Sequence, residues 1–405
     1  MSKLSKFNNT ILIDKPIGLY LHVPFCTVLC PFCDFYKMSW TPSSEKDFIQ
    51  ALQKEIKYYK RTKKIKLKSI FLGGGTPSVL SSISIQTIMN SLEETFDLSA
   101  CNEKSFEANP EDINSDTLNH FKKAGFNRIS LGVQTLDKKE CSYLGRGHSP
   151  KQSHQALNII KKNKNWNLSV DIMFGLKKTG LTSLKITLDQ ILKYKPNHVS
   201  TYCLTIEDNT VFHKKGIKQL DPEKELEQYK LIQKTLKEAN FNQYEVSSFA
   251  QPDYECEHNK NYWNFGNFIG LGPSGHSFIN PFRFTNDNSL KNYLNKPIPP
   301  IFQKSIPPLN KNDLLKEHIL ANFRQLSGLN ITFINKTYNI NFEKKYKQQL
   351  DTLYTLNYIK KTKDHIKATS KGLYMLNTLV SQFFIIHLSL IVLRLFVYFN
   401  NATRV

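Results

Sequence analysis

Six short runs rich in β-branched and aromatic residues alternate with helix-like stretches over the first 240 residues of the chain. The intervening stretches place apolar residues three or four positions apart, as in Phe48, Leu52 and Ile56, which follow the candidate helix N-caps Ser43 and Ser44. Strand–helix alternation repeated about six times predicts an α/β fold with a parallel sheet or a barrel-like arc. The predicted strands are residues 18–23, 67–72, 104–108, 128–131, 168–174 and 198–204.

The segments that follow these predicted strands hold most of the chemically interesting residues in this half of the chain. Parallel-sheet enzymes build their sites at the carboxyl ends of the strands. The sequence therefore predicts a site at this edge of the sheet. The segments are 26–33, 73–76, 109–110, 134 and 175.

The character of the chain changes after a charged helical stretch at residues 223–238. Residues 244–275 show no clear period, and the proline-punctuated stretch after residue 295 is interpreted as a linker. Beyond the linker, helical patterns and a hairpin predict a small winged-helix-like α+β domain. The helical patterns are 311–324, 343–356 and 371–379, and the hairpin strands are 358–361 and 365–369. The predicted segments are a core barrel (12–245), an aromatic and His-containing segment (246–295), the linker (296–310), the small domain (311–380) and an apolar tail (381–405).

Composition and charge limit the classes of protein. The net charge is +21, from 55 basic and 34 acidic residues, and such a field attracts anions. The lysines are spread along the whole chain, so we interpret them as solvated surface residues and do not expect nucleic-acid binding. A composition of 40% apolar and 22% charged residues excludes wholesale disorder and a polytopic membrane protein. Seven irregularly spaced cysteines do not form a secreted disulfide scaffold, which favours a reducing compartment.

The two ends of the chain bear on its location. Residues 1–9 are polar and no secretory signal follows them, so we expect a cytoplasmic protein. The nearly apolar stretch 383–399 contains His387 and Arg394 and is short for a hydrocarbon span of ~30 Å. A buried or surface-lying helix, or an extension with no selected role, is favoured over a weak membrane anchor, and membrane association stays an alternative.

Three cysteines, Cys26, Cys30 and Cys33, lie within eight residues in a C-x3-C-x2-C pattern directly after the first predicted strand. Structural zinc sites close a tetrahedron with four ligands, and here no second pair of cysteines is nearby. Three thiolates on a 4Fe–4S cluster would leave one iron open to an exchangeable small molecule. The spacing alone leaves zinc binding and simple packing of the three thiols as alternatives.

The cysteine pattern and the residues before it, 20–25, resemble the signature of the radical S-adenosylmethionine superfamily, whose members carry a 4Fe–4S cluster and S-adenosylmethionine. The turn from Gly73 to Pro77 (GGGTP) matches the superfamily's glycine-rich turn, where the absence of a Cβ allows close approach of the backbone to a ligand. The resemblance implies that Tyr20, Gly74 and Glu107 contact cluster-bound S-adenosylmethionine. It implies a second such site from Gly75, Thr76, Gln134, Arg146 and Asp171, with Phe32 as a neighbour.

Within the superfamily, the chain resembles the oxygen-independent coproporphyrinogen oxidase group at residues 106–110, 126–134, 146 and 170–176. The oxidases themselves have a further cysteine two residues after the third cluster ligand, where this chain has Phe35. Phenylalanine can neither ligate a metal nor transfer a hydrogen atom. The Cys-Asp-Phe ending is typical of the HemW branch, the heme chaperones.

A second segment with this resemblance is an HNxxYW motif. The motif residues His258, Asn259, Tyr262 and Trp263 are implied to bind heme, because a histidine can ligate the iron while aromatic rings cover a porphyrin face. Without the resemblance, a packed aromatic corner is the favoured interpretation. His276 is a second candidate ligand, and His22 is either a pocket residue or a strand histidine with local hydrogen bonds.

Three hypotheses follow. The favoured one is a cytoplasmic heme chaperone that carries a 4Fe–4S cluster and S-adenosylmethionine and hands heme to acceptors such as membrane respiratory enzymes, with a homodimer as one oligomeric state. The alternative is an oxygen-independent coproporphyrinogen III oxidase that decarboxylates propionates, which Phe35 argues against. The remote alternative is a zinc-stabilised nucleic-acid-binding protein.

Overall fold

The computed structural model describes residues 13–177, 180–303 and 306–384. Its main feature is an eleven-stranded sheet with the order β13-β12-β11-β1-β4-β5-β6-β7-β8-β10-β9, accompanied by one sheet of three strands and one of two. The strands are β1 (Ile17–Val23), β2 (Phe25–Cys26), β3 (Met38–Ser39), β4 (Leu67–Gly74), β5 (Glu103–Ala108), β6 (Arg128–Gln134), β7 (Asn167–Phe174), β8 (His198–Cys203), β9 (Asn242–Gln243), β10 (Ser248–Ala250), β11 (Phe268–Leu271), β12 (His276–Ile279), β13 (Phe282–Thr285), β14 (Leu329–Asn330), β15 (Ile359–Lys361) and β16 (His365–Ala368).

The six predicted strands are confirmed as the central parallel strands β1 and β4 to β8. Each pairs in parallel with its neighbour, and helices connect most of them, as the strand–helix alternation predicts. Strand β11 adds to β1 in parallel, whereas β12 and β13 on one edge, and β10 and β9 on the other, run antiparallel to their neighbours. The architecture is the predicted partial barrel of six β/α units, extended at both edges.

The helices begin at conventional caps, although not always at the predicted residue. The first begins after Thr41, whose side chain accepts from Ser44 N, with Pro42 as its first residue; the predicted caps Ser43 and Ser44 lie inside it. The helices are Pro42–Lys57, Ser82–Thr95, Ser115–Lys123, Lys138–Tyr143, Pro150–Lys162, Gly180–Leu192, Val211–Lys214, Pro222–Glu238, Glu257–Trp263, Leu290–Asn295, Pro300–Gln303, Lys311–Phe323, Ile331–Tyr338, Phe342–Lys345, Lys347–Thr355, Ser370–Tyr374 and Leu376–Ser381, with 3-10 turns at Pro77–Val79 and Pro110–Asp112.

The two faces of the barrel sheet have different chemistry. Along β1, Leu19 and Leu21 belong to the large apolar core that the helices cover. The alternate residues, Tyr20 and His22, line a cavity instead, since successive side chains of a strand point to opposite faces. The polar side chains of the site project from this second face.

The segment 246–295 joins the barrel because its strands β10 to β13 extend the large sheet. The small domain beyond it has its own apolar core and the three-stranded sheet β14-β16-β15, in which the predicted hairpin is formed by β15 and β16. Trp263 and Phe268 belong to this second core, so the two parts of the chain share an apolar boundary. The division into five segments stays a prediction.

Two stretches of the C-terminal half differ from the predicted elements. The predicted helix at 343–356 is two helices that meet at Tyr346, and the predicted linker contains the short helix Pro300–Gln303, with Phe302 buried against Tyr58 and Tyr59. Burial of an aromatic ring explains why this proline-rich stretch packs on the barrel. No helix in the described part of the chain has both the length and the apolarity to cross a membrane. The apolar tail lies outside the described residues from 385 onward.

Candidate functional site

The three clustered cysteines lie on a loop held at both ends by backbone pairing. Strands β2 and β3 pair in parallel, and Trp40 N donates to Cys26 O at 3.0 Å, so the loop closes on itself. Within it, Cys33 N donates to Cys30 O at 3.3 Å. All three thiols line one cavity at the carboxyl ends of the parallel strands, which we call the cysteine cavity.

The glycine-rich turn after β4 contacts the cysteine loop through its backbone. Gly75 N donates to Val23 O at 2.7 Å and Thr76 N to Phe25 O at 2.6 Å. A Cβ at Gly75 would come within 2.5 Å of Phe25 O, and Gly74 has a φ of +105°, so side chains are excluded at both positions. The glycine-rich turn therefore packs directly against the start of the cysteine loop at this edge of the sheet.

Two buried carboxyl groups project into the cysteine cavity from β5 and β7. Glu107 accepts from Gly74 N at 3.0 Å, and burial together with the charge of Asp171 raises the pKa of Glu107 well above its usual range. Asp171 accepts from Ser130 Oγ at 2.9 Å, and burial raises its pKa to about 6. A cationic ligand would restore the ionised forms, because an opposite charge nearby favours the charged state.

Amide and guanidinium groups line the opposite side of the cysteine cavity. Arg146 Nη2 donates to Asn109 Oδ1 at 2.5 Å, and Nη1 lies 3.3 Å from Cys30 Sγ. Gln134 has a φ of +63° at a break in the register of β6, and its Oε1 is buried without a hydrogen-bond partner in the described structure. A buried acceptor that lines a cavity and lacks a partner is the mark of a ligand site.

The structure brings almost the whole predicted cofactor set together. Tyr20 is the exception and lies in a neighbouring cavity. The predicted residues that line the cysteine cavity are Cys26, Cys30, Phe32, Cys33, Gly74, Gly75, Thr76, Glu107, Gln134, Arg146 and Asp171. The sequence analysis did not select Ser130, Met173 and Tyr202, which line the same cavity from β6, β7 and β8. Counting in steps of two from Gly132 and Asp171 along β6 and β7 would have selected Ser130 and Met173.

A second cavity adjoins the first, and we call it the histidine cavity. It shares Cys33, Asp34, Phe35 and Lys37 with the cysteine cavity, so the end of the cysteine loop separates the two spaces. The other residues that line it are Tyr20, His22, Tyr36, Asn209, Tyr262, Phe268, Ser274, His276 and Asn288. A cavity with several aromatic rings, histidines and a lysine suits a flat, partly apolar, anionic molecule.

The helix Glu257–Trp263, which carries the HNxxYW motif, is held by a buried carboxylate at its beginning. We call it the motif helix. The backbone N–H groups of Glu257 and His258 donate to Glu103 at 3.2 and 3.0 Å. Glu103 also lies 3.5 Å from Arg128 Nη1 in a buried ion pair. Negative charge at a helix N-terminus is favourable, so the sheet anchors this helix electrostatically.

The four motif residues are all buried, but they do not all line the histidine cavity. His258 is 0% exposed; its Nδ1 lies 2.9 Å from Ser69 Oγ and its Nε2 2.7 Å from the Tyr262 hydroxyl. Burial lowers the pKa of His258 to about 3, so the ring is neutral at physiological pH. Asn259 and Trp263 are buried, and neither lines the histidine cavity. Of the four, the structure brings only Tyr262 to it.

Comparison with known proteins agrees with this geometry. The model of the radical SAM superfamily matches residues 20–191. The heme chaperone HemW of Buchnera aphidicola subsp. Schizaphis graminum is 35% identical over 381 residues, covering 91% of this chain and 98% of the relative. HemW of Escherichia coli K12 is 30% identical over 378 residues, with 91% and 98% covered. The chain belongs to the HemW heme chaperone family.

The fold of the chain is also similar to that of a solved structure. Coproporphyrinogen III oxidase (HemN) from Escherichia coli superposes with a TM-score of 0.79 over 92% of this chain and 91% of that chain, at 22% identity. At this identity the likeness establishes the radical SAM fold. It leaves the chemistry to be argued from the residues.

HemW membership and the radical SAM fold imply a 4Fe–4S cluster and S-adenosylmethionine as cofactors. The residues present fit both groups. The cysteine loop offers three sulfur donors, one for each of three irons, and the buried Gln134 Oε1 is an unused acceptor beside them. Within the described ranges, no group of three His, Cys, Asp or Glu side chains is arranged to hold a single metal ion. Burial raises the pKa of Cys26 to about 11, and bound iron would hold such a thiol as thiolate.

Proposed function

We propose that this chain binds heme as cargo and transfers it to acceptor proteins. The observation that carries this proposal is the position of Phe35, which lines both cavities at the end of the cysteine loop. A coproporphyrinogen oxidase has a cysteine at this position, and a phenyl ring can neither ligate metal nor exchange a hydrogen atom. It can pack against a porphyrin face, which suits holding heme rather than oxidising a porphyrinogen.

For the cofactors, we propose that Cys26, Cys30 and Cys33 hold the cluster. The cluster, when bound, supplies an open iron position and one-electron chemistry. Around it, Glu107 and the backbone of Gly74 would hold polar groups of S-adenosylmethionine, with Tyr20 nearby. A second S-adenosylmethionine would contact Gly75, Thr76, Gln134, Arg146 and Asp171, beside Phe32, and a guanidinium such as Arg146 can bind a carboxylate with two parallel hydrogen bonds.

For the cargo, we propose that the motif helix forms the floor of the heme site. Tyr262 would contact heme directly, because it lines the histidine cavity. His258, Asn259 and Trp263 would act by holding this helix in place. The Trp263 carbonyl accepts from Asn322 Nδ2 at 3.0 Å and from Gln325 Nε2 at 2.8 Å, which ties the floor to the small domain.

We further propose that the acceptors are respiratory proteins at the cytoplasmic face of a membrane, and that a homodimer is one state of the protein. The net charge of +21 supports contact with anionic lipid close to such acceptors, since anionic surfaces attract basic proteins. Pelleting with vesicles of anionic and of neutral lipid would test this part alone. Equal recovery in both would contradict it.

One anaerobic preparation of the full chain tests the main proposal. Ferric heme titration should give a saturable Soret band at one heme per monomer, and a heme-free globin added afterwards should take up the heme. The same preparation, with reductant and S-adenosylmethionine, should convert no coproporphyrinogen III. Rapid conversion without saturable heme binding would reverse the conclusion. Iron and sulfide content separates both outcomes from a zinc protein.

A further inference from the structure

We propose that Lys37 binds a propionate group of the heme, so that the heme lies in the histidine cavity with its carboxylate edge toward the cysteine loop. The inference rests on the proposed function and makes it specific, because it names the contact that orients the cargo. Heme carries both of its propionates on one edge of the ring, so a single cation at one end of a cavity can set its direction.

Lys37 supplies the positive charge of the histidine cavity. Among the described residues that line this cavity, it is the only lysine or arginine. The two histidines there are neutral at physiological pH, because burial lowers the pKa of His22 to about 4 and the pKa of His276 to about 3. An anion that enters the cavity therefore meets its opposite charge at Lys37.

The ammonium group of the half-buried Lys37 is held by backbone carbonyls, since Nζ donates to Cys33 O at 2.6 Å and lies 3.5 Å from Phe35 O. The lysines that form ion pairs within the described ranges are Lys66, Lys185, Lys260 and Lys361. Lys37 is not one of them, although the acid Asp34 lines the same two cavities. An ammonium carries three hydrogens, so one remains for a carboxylate beside the two carbonyls. A half-buried charge that meets only neutral groups is stabilised by such a partner.

The backbone that carries Lys37 is held on both sides of the residue. On one side, the Tyr36 carbonyl accepts from His22 Nε2 at 2.8 Å. On the other side, Met38 N donates to Pro24 O at 2.7 Å. A charged group on a fixed segment loses less conformational entropy when it binds its partner, so Lys37 is well placed to hold a ligand.

The histidine cavity changes character along strand β1. His22 lies at the Lys37 end, because its ring is bonded to the segment that carries Lys37. Phe268 is the register partner of Gly18, and the four residues of strand from Gly18 to His22 span about 13 Å. Phe268 packs there against Tyr262, with ring centroids 4.5 Å apart. The cavity thus has a charged end and an aromatic end, which match the carboxylate edge and the apolar vinyl and methyl groups of heme.

Lys37 also lines the cysteine cavity, so a second carboxylate, that of S-adenosylmethionine, is within the same chemistry. The cysteine cavity offers Arg146 to such a group, whereas the described lining of the histidine cavity offers no other lysine or arginine than Lys37. The heme propionate is therefore the expected partner. Binding of S-adenosylmethionine is measured beside it to separate the two sources.

The test titrates the anaerobically prepared full chain with ferric heme and with its dimethyl ester, in which both propionates are neutral. The wild type should bind heme at least about tenfold more tightly than the ester, because a hydrogen bond to a charged group contributes this much. Lys37→Gln should bind heme about tenfold more weakly and the ester unchanged, whereas Lys37→Arg should keep the wild-type preference. Lys54→Gln is the matched control and should behave as the wild type, because Lys54 is exposed on the helix Pro42–Lys57 and lines neither cavity.

The remaining outcomes separate this inference from the proposed function. A wild-type chain that shows no saturable heme band contradicts the proposed function itself. A wild-type chain that binds heme, with Lys37→Gln keeping the preference for heme over the ester, overturns the inference alone. Equal losses of heme and ester binding in Lys37→Gln also overturn it, since the lysine would then only hold the cysteine loop, which iron and sulfide content reports. Weaker binding of S-adenosylmethionine in equilibrium dialysis, with heme binding unchanged, would assign Lys37 to that carboxylate instead.

Discussion

The two ends of the barrel interior carry the two parts of the predicted site, and they are built in different ways. At the carboxyl ends of the strands, Gln134 and Arg146 line an open space, and Gln134 Oε1 there has no partner among the described residues. At the other end, the motif helix fills the space, and His258 has both ring nitrogens engaged. The cysteine cavity, with its unused acceptor, suits a ligand. The motif helix, whose buried polar groups are already hydrogen-bonded, suits a structural role.

The difference teaches that the residues of one sequence motif need not all face the same space. In the cysteine cavity, the predicted residues face the space themselves, because they sit at strand ends where alternation decides the direction of each side chain. In the motif helix, four predicted residues share seven positions of helix, and the helical turn directs most of them away from the cavity.

The largest effect is expected at the cysteine cavity. Cys30 lines the cysteine cavity and does not line the histidine cavity, so Cys30→Ala should abolish the 4Fe–4S cluster while heme binding persists. Iron and sulfide analysis with heme titration of the same sample measures both. Cys101→Ala is the matched control, because Cys101 lines neither cavity. Loss of heme binding in Cys30→Ala would mean that the two ends act as one site.

The second-largest effect is expected from Glu103, the buried carboxylate at the N-terminus of the motif helix. Glu103→Gln removes the charge that holds both Arg128 and the N-terminus of the motif helix, and leaves a buried guanidinium without its ion partner. Breaking a buried pair in this way costs about 3–5 kcal/mol in the free energy of unfolding. Urea denaturation measures the change. Glu255→Gln, which weakens a partly exposed pair with Lys260, should cost less than about 1 kcal/mol. Equal losses in the free energy of unfolding would show that Glu103 stabilises the fold no more than Glu255 does.

A pH effect is expected from Glu55, which ties the turn before His276 to the barrel. Glu55 is 0% exposed, and burial raises its pKa to about 7 from the usual value of about 4.5. The folded state therefore binds the proton more tightly than the unfolded state, so stability falls as pH rises from about 4.5 to about 7, by up to about 3 kcal/mol. Urea denaturation across this range should show the slope in the wild type and a flatter profile in Glu55→Gln. An unchanged profile in the variant would assign the slope to other groups.

The smallest effect is expected from the hydrogen bond between Tyr262 and His258 in the motif helix. Tyr262→Phe removes the hydroxyl that lies 2.7 Å from His258 Nε2 and leaves that buried nitrogen unsatisfied. We expect the free energy of unfolding to fall by about 1–3 kcal/mol. Tyr254→Phe is the control, because Tyr254 is 39% exposed. If Tyr262→Phe were as stable as the wild type, the hydrogen bond between Tyr262 and His258 would not stabilise the motif helix.

Much of the site could be predicted because it follows from local rules. The six parallel strands come from the alternation of apolar runs, and the glycine turn from positions where a Cβ would collide with the cysteine loop. The elements that escaped prediction depend on distant contacts. The short helix Pro300–Gln303 forms where Phe302 packs between Tyr58 and Tyr59, and nothing in the local proline-rich pattern indicates these partners.

The sequence by itself determined the six central strands of the barrel and the cysteine loop, and its resemblance to a known family selected the acids and amides beside that loop. These features depend on strand period, loop spacing and side-chain chemistry, which are properties of short segments. Only the tertiary structure decided which histidines line the histidine cavity, because His22 and His276 do and His258 does not. His258 stands in the more suggestive stretch of sequence, but Ser69 on β4 and Tyr262 lie against its two ring nitrogens, and Ser69 comes from a remote part of the chain.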